Sequence, residues 1–137
     1  MFSIGELSRR TGVKVPTIRY YEQVGLLDEP DRTEGKQRRY GSETLERLIF
    51  VRHARDLGFS LESIRDLLVL SGHPERPCAE VDRMAAIQLA AVQDKIGRLK
   101  RLEIELARIA TCCKGETVGK CYVLRSLADH ALCSGTH

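Results

Sequence analysis

Residues 4–27 read IGELSRRTGVKVPTIRYYEQVGLL, and the punctuation of this stretch decides the fold. Just upstream, Ser3 followed by Glu6 fits a capping box, and Phe2 with Leu7 fits the hydrophobic staple that fixes chain entry into a helix. Ile4, Leu7 and Ser8 then face inward. Gly12 follows the last turn, where a left-handed residue ends a helix and glycine takes that conformation without a Cβ clash. Pro16 stands where a first helical residue is expected, because its missing N–H has no intrahelical partner there. A second helix runs through Thr17, Ile18, Arg19, Tyr20, Tyr21 and Glu22 and stops at Gly25. Two short helices joined by a tight glycine turn have the layout of a helix-turn-helix.

Chemistry concentrates on that second helix. Adjacent helical residues point about 100° apart. Tyr20 and Tyr21 therefore cannot share a face, and Ile18 and Tyr21 are expected inward, with Arg19 and Tyr20 outward. An exposed Arg can fork onto guanine or phosphate oxygens, and a Tyr hydroxyl can donate to phosphate. The sequence RTEGKQRRY at 32–40 follows, after Pro30. Pro30 and Gly35 bracket a polar turn, so a short β-hairpin with a basic second strand is expected, a wing whose Lys36, Arg38 and Arg39 reach toward flanking phosphates.

A third helix is expected from Ser42 to Leu57, with Leu45, Leu48, Ile49 and Arg52 at helical spacing and Gly58 as its stop. Ser60 caps a fourth, with Phe59 and Ile64 as its staple and Leu61, Leu67, Leu68 and Leu70 on the apolar face. Ser71-Gly72-His73-Pro74 breaks it. Residues 1–60 carry eleven Lys/Arg against nine Asp/Glu, a local balance of only +2, so the signal is clustering rather than net charge. The clusters are Arg9-Arg10-Lys14-Arg19, Lys36-Arg38-Arg39 and Arg52-His53-Arg55, each a possible phosphate footprint and each also readable as a solvated helix face.

From Cys78 to Ala110 there is no proline, and Gly97 is the only glycine. Apolar residues recur at Ala85, Leu89, Val92, Ile96, Leu99, Leu102, Leu106, Ile109 and Cys113, mostly by alternating fours and threes, the coiled-coil interval. Such a helix would be about 50 Å long. A chain of 137 residues cannot cover it alone, so a symmetric antiparallel pair, a homodimer with two reading heads, is expected. The alternative is a helix that folds back on its own domain. The expected organisation is mainly α: a winged helix-turn-helix over 1–71, a linker over 72–77, an antiparallel dimerisation helix over 78–111, and a metal-binding loop and tail over 112–137.

The five cysteines are Cys78, Cys112, Cys113, Cys121 and Cys133. MFSIGELSRR lacks a secretory layout, and no apolar run approaches a bilayer span, so a cytoplasmic protein with reduced thiols and no membrane partner is expected. Cys78 starts the long helix and Cys112 ends it, so one chain cannot bring both to one ion. In an antiparallel pair the start of one helix meets the end of the other, and Cys78 can join Cys112, Cys113 and Cys121 of its partner. Soft thiolates select zinc, cadmium, mercury, lead or copper(I) over magnesium or calcium. Packing of Cys112 or Cys113 as a small hydrophobe is the simpler alternative. Cys133, His130 and His137 lie in a segment that reads as a short closing helix from Leu124 and a tail.

Three runs carry a resemblance: residues 4–27, the wing at 32–40, and RHARDLGFSLESIRDLL at 52–68. Together they resemble the MerR family of metal-responsive regulators along nearly the whole chain. Cys78 matches the position where divalent-metal sensors carry Cys and copper(I) sensors usually carry Ser. The pair Cys112-Cys113 with Cys121 beyond a loop is most similar to the zinc-responsive branch, with cadmium- and lead-responsive members nearby. The resemblance implies a dimer bound between promoter elements spaced too far apart for RNA polymerase. It also implies activation of metal-resistance genes when the bound ion shifts the dimer and underwinds the DNA, at a deformation energy on the order of several kcal/mol. It implies DNA contacts from Lys14, Thr17, Arg19, Tyr20, Arg38 and Tyr40, and a zinc site from Cys112, Cys121 and the partner's Cys78, with Cys113 beginning a second. The chain departs from the pattern in its loop, which carries Glu116 or Thr117 where zinc regulators place a His ligand and is one residue shorter, and at Gln37, where an aromatic is usual.

Other functions are weighed by the same residues. Copper(I) sensing is disfavoured by Cys78, since copper(I) prefers two ligands. An iron–sulfur or thiol redox sensor wants a tighter cysteine cluster than this loop provides. An enzyme is not expected: no His/Glu base accompanies the thiols, and no glycine loop cradles a phosphate.

Overall fold

The computed structural model describes residues 1–32, 38–112, 118 and 121–129. The element order is α1 (Ile4–Thr11), α2 (Val15–Gln23), β1 (Asp31–Arg32), β2 (Arg38–Arg39), α3 (Ser42–Asp56), α4 (Leu61–Ser71), α5 (Ala79–Cys112) and α6 (Tyr122–Ala128). The chain divides into two compact units, Met1–Met84 and Ala85–His137. The fold is mainly helical, as expected, with a single two-stranded sheet among the described residues.

In the N-terminal unit the local signals do what the residue types dictate. Ser3 Oγ accepts from the Glu6 N–H at 3.2 Å and starts α1. At its end the Thr11 hydroxyl donates to the Leu7 carbonyl at 2.7 Å and accepts from the Val13 N–H at 3.2 Å. Gly12, at φ 75°, takes the left-handed conformation and donates to the Ser8 carbonyl. Pro16 lies in the first turn of α2, whose N-cap, Lys14, makes no side-chain cap. Gly25, at φ 82°, turns the chain so that Leu26 and Leu27 drop back into the core.

The hairpin forms in antiparallel register, Asp31 opposite Arg39 and Arg32 opposite Arg38. The wing tip at 33–37, with Lys36 and Gln37, lies outside the described residues. A bridge anchors the base of the wing: Phe2 N–H donates to the Tyr40 carbonyl at 2.7 Å, and Tyr40 N–H donates back to Phe2 at 2.8 Å.

α3 packs on α1 and α4, and α1 packs on α2. The core holds Leu7, Ile18, Leu26, Tyr40, Leu48, Val51 and Ile64, all essentially inaccessible to solvent. Ile49, expected on the apolar face of α3, is exposed instead. The inward line is Leu48, Val51 and Ala54, and the neighbour of Leu48 is rotated about 100° away from it. α4 begins where Ser60 Oγ accepts from the Ser63 N–H at 3.1 Å.

In the C-terminal unit, burial among the described residues is confined to Glu105 and Ile109 near the end of α5 and Ser126 on α6. Glu105 is ion-paired with Arg108 one turn on. α5 is a continuous helix of 34 residues. Its apolar positions Leu89, Val92, Ile96, Leu99 and Leu106 are exposed in the single chain. The closing helix expected from Leu124 begins at Tyr122, and residues 130–137, with His130, Cys133 and His137, lie outside the described residues. Among the described residues no helix is long and apolar enough to cross a membrane.

Candidate nucleic-acid interface and metal-binding cysteines

α2 presents its chemistry outward for the reason its sequence gives. Ile18 and Tyr21 are buried, and Lys14, Arg19 and Tyr20 are exposed, with Thr17 half-buried beside them. The Tyr20 and Tyr21 rings sit 6.3 Å apart and tilted by 50°, one outside and one in the core. Short exposed helices with an outward Arg, Lys, Tyr and Thr can place donors against phosphates and base edges.

Arginines from the following helices hold this unit in place. The Arg52 guanidinium donates to the Thr11 carbonyl at the end of α1. Arg65 donates to the Val24 carbonyl at the end of α2. Arg47 Nε donates to the Leu26 carbonyl at 2.6 Å. Carbonyls at helix C-termini lack intrahelical partners and carry partial negative charge, so a guanidinium is a fitting clasp. The sequence left Arg52, His53 and Arg55 readable as a phosphate footprint or as a solvated helix face. In the structure Arg52 reaches Thr11 and lies 3.8 Å from Asp56, and Arg55 donates to the Phe59 carbonyl at 2.8 Å, with both side chains still exposed. His53 stays exposed. Sequence reasoning missed these clasps because their partners lie 21 or 41 residues away and no local pattern marks them.

Arg9 and Arg10 are exposed on α1, and the Arg10 guanidinium lies 4.7 Å from the centre of the Phe2 ring. In the wing, Arg38 belongs to β2, with its side chain outside the described set, and Arg39 is half-buried. Tyr40, expected as a DNA contact, is 1% exposed, and its hydroxyl donates to Glu22 Oε1. Its side chain is therefore a strut between the wing base and α2. The ring is apolar enough to fill the core, and its hydroxyl finds a carboxylate there.

Cys78 is exposed and its carbonyl accepts the Asp82 N–H at 2.9 Å, which puts it at the start of α5. Its thiol lies 3.6 Å from Asp82 Oδ2. Cys112 is the last residue of α5, its side chain outside the described set, and Cys113 lies outside it altogether. Cys121 is half-buried at the N-cap of α6, where its carbonyl accepts from the Arg125 N–H at 3.1 Å. No three His, Cys, Asp or Glu side chains converge among the described residues of one chain.

Comparison with known proteins places the chain. The model for MerR HTH family regulatory proteins matches residues 2–69, and the MerR DNA-binding model matches residues 45–109. The chain is similar to the HTH-type transcriptional regulator ZntR of Escherichia coli K12, 40% identical over 134 residues, 96% of this chain and 95% of that protein. It is similar in structure to PbrR691 from Ralstonia metallidurans CH34, solved with lead(II): TM-score 0.76, 40% identity, covering 93% of this chain and 99% of the other. It also resembles MerR from Bacillus megaterium MB1, solved with mercury(II): TM-score 0.67, 32% identity, covering 93% of this chain and all of the other. The matched helix-turn-helix contains the exposed α2 face, and the second match runs along α5. The chain therefore belongs to the MerR family of helix-turn-helix regulatory proteins, which are DNA-binding transcription regulators and not enzymes.

Proposed function

We propose that this chain is a heavy-metal-responsive regulator that binds promoter DNA as a homodimer and activates metal-resistance genes in response to zinc or a related divalent ion, cadmium, lead or mercury. One observation carries the reading: α5 has a cysteine immediately before it and a cysteine as its last residue, with an exposed apolar stripe between. A helix of 34 residues rises about 50 Å, so Cys78 and Cys112 of one chain do not share an ion. Two copies paired antiparallel along Leu89, Val92, Ile96, Leu99 and Leu106 would cover the stripe and bring the partner's Cys78 to Cys112 and Cys121, with Cys113 the next residue in sequence after Cys112. The donor set fits the ion: thiols suit thiophilic metals, and Cys78 is solvent-accessible.

DNA contact is assigned to Lys14, Thr17, Arg19 and Tyr20 on α2 and to Arg38 in the wing, with Tyr40 positioning the wing from the core. Regulation then runs through DNA shape. The thiol cages tie the two long helices together, and the reading heads carried on them distort the promoter toward the form that RNA polymerase can open. An ion shifts this equilibrium only by the margin with which it prefers the activating arrangement. Relatives solved with lead(II) and with mercury(II) support the ion class without choosing within it. Transcription in vitro from the cognate promoter, titrated separately with zinc, cadmium, lead, mercury and copper(I), tests the reading. Activation by the divalent ions is expected, and a response to copper(I) alone would contradict it.

A further inference from the structure

We propose that Asp82 supplies a carboxylate oxygen to the ion held by Cys78, completing the cage with a fourth donor. The inference rests on the metal-responsive reading above and deepens it. Cys78 and Asp82 are one helical turn apart and both exposed, so they share one face at the start of α5. Sulfur and oxygen are separated by 3.6 Å. A tetrahedral zinc with sulfur at about 2.3 Å and carboxylate oxygen at about 2.0 Å sets those atoms about 3.5 Å apart. The pair therefore already has the bite of a bidentate arm. Paired ligands at this spacing on one helix are a recurrent way to hold zinc.

The rest of the donor set leaves room for it. With Cys113 left to the second site that the resemblance implies, Cys112, Cys121 and the partner's Cys78 make three thiolates, and structural zinc takes four ligands. The segment 114–120 between the thiols, KGETVGK, contains no histidine. An oxygen donor also bears on selectivity. Carboxylate oxygen is an ordinary zinc ligand, whereas copper(I) is held by soft sulfur ligands. Asp82 additionally complements the positive end of α5, but Glu80 in the same turn does so as well. Glu80 is two residues from Cys78 and so faces away from it, which makes it the internal control.

The test uses the full-length, reduced, metal-free dimer loaded with zinc for X-ray absorption or with cobalt(II) for optical spectra. Wild type is expected to show three sulfurs and one oxygen. Asp82→Cys is expected to show four sulfurs, with stronger sulfur-to-cobalt charge transfer. Asp82→Asn is expected to weaken zinc about tenfold to a hundredfold in a competition titration, on the scale of lost metal-site support, while Glu80→Gln leaves it unchanged. A sulfur count that stays at three in Asp82→Cys, or equal losses in Asp82→Asn and Glu80→Gln, would overturn the inference. Cys78→Ser, measured alongside, separates the two levels. If it lowers zinc affinity while the Asp82 variants do not, only the role of Asp82 falls. If zinc binding ignores Cys78→Ser, the shared-cage reading falls with it.

Discussion

The Arg52 guanidinium donates to the Thr11 carbonyl and occupies the space that a side chain on Gly12 would need, since a Cβ there would fall 2.8 Å from Arg52 Cζ. Gly12 also holds a φ of 75°, which costs an L-residue about 1–2 kcal/mol. Gly12→Ala is therefore expected to destabilise the N-terminal unit by about 2–3 kcal/mol, combining backbone strain with displacement of the clasp. Arg52→Ala in the same chain should relieve part of that loss, so the double variant is less destabilised than the sum. Urea unfolding of the four chains measures the coupling.

Arg19 is exposed on α2 and makes no part of the core. Arg19→Ala is expected to weaken promoter binding by about 1–3 kcal/mol and to leave zinc affinity as it is. Fluorescence anisotropy with promoter DNA and a chelator competition, run on the same preparation, check both halves. Loss of both activities together would deny that the two functions sit on separate parts of the chain.

Tyr40 gives the opposite pattern. Its buried hydroxyl bonds Glu22, so Tyr40→Phe should cost about 1.5–3 kcal/mol of stability through a lost hydrogen bond to a carboxylate. Because the side chain sits in the core, the salt dependence of DNA binding should keep its slope. A slope shallower by about one unit would instead mark Tyr40 as a phosphate contact.

Leu99 and Leu106 are exposed on α5 and separated by one heptad. Leu99→Asp with Leu106→Asp places charge in the proposed seam and should yield monomers in analytical ultracentrifugation. The N-terminal core, which includes neither residue, should keep its urea midpoint.

Much of the N-terminal unit was legible because its instructions are local. Ser3 and Ser60 cap helices within three residues of themselves, and Gly12, Gly25 and Gly58 take the positive φ their positions demand. The alternation of threes and fours gave α5 nearly to its ends. What escaped was set by distance along the chain. Tyr40 reaches Glu22, 18 residues back, and Phe2 pairs with Tyr40 across the whole helix-turn-helix. The arginines at 47, 52 and 65 donate to backbone carbonyls, and a basic side chain in sequence does not announce whether it will reach a phosphate or a helix end. The cysteines were legible in their places along the chain, Cys78 just before α5 and Cys112 as its last residue.

In the proposed dimer each ion cage draws sulfur from two protomers. Chains carrying Cys78→Ser and chains carrying Cys112→Ser are purified separately, each expected to bind zinc weakly as a homodimer. After mixing, unfolding and refolding, the heterodimer has one cage with all its thiols intact and one with two of them lost. The mixed sample is expected to regain tight zinc at one ion per heterodimer. Zinc affinity in the mixture no better than in either parent would contradict it, as would tight binding retained by either parent alone.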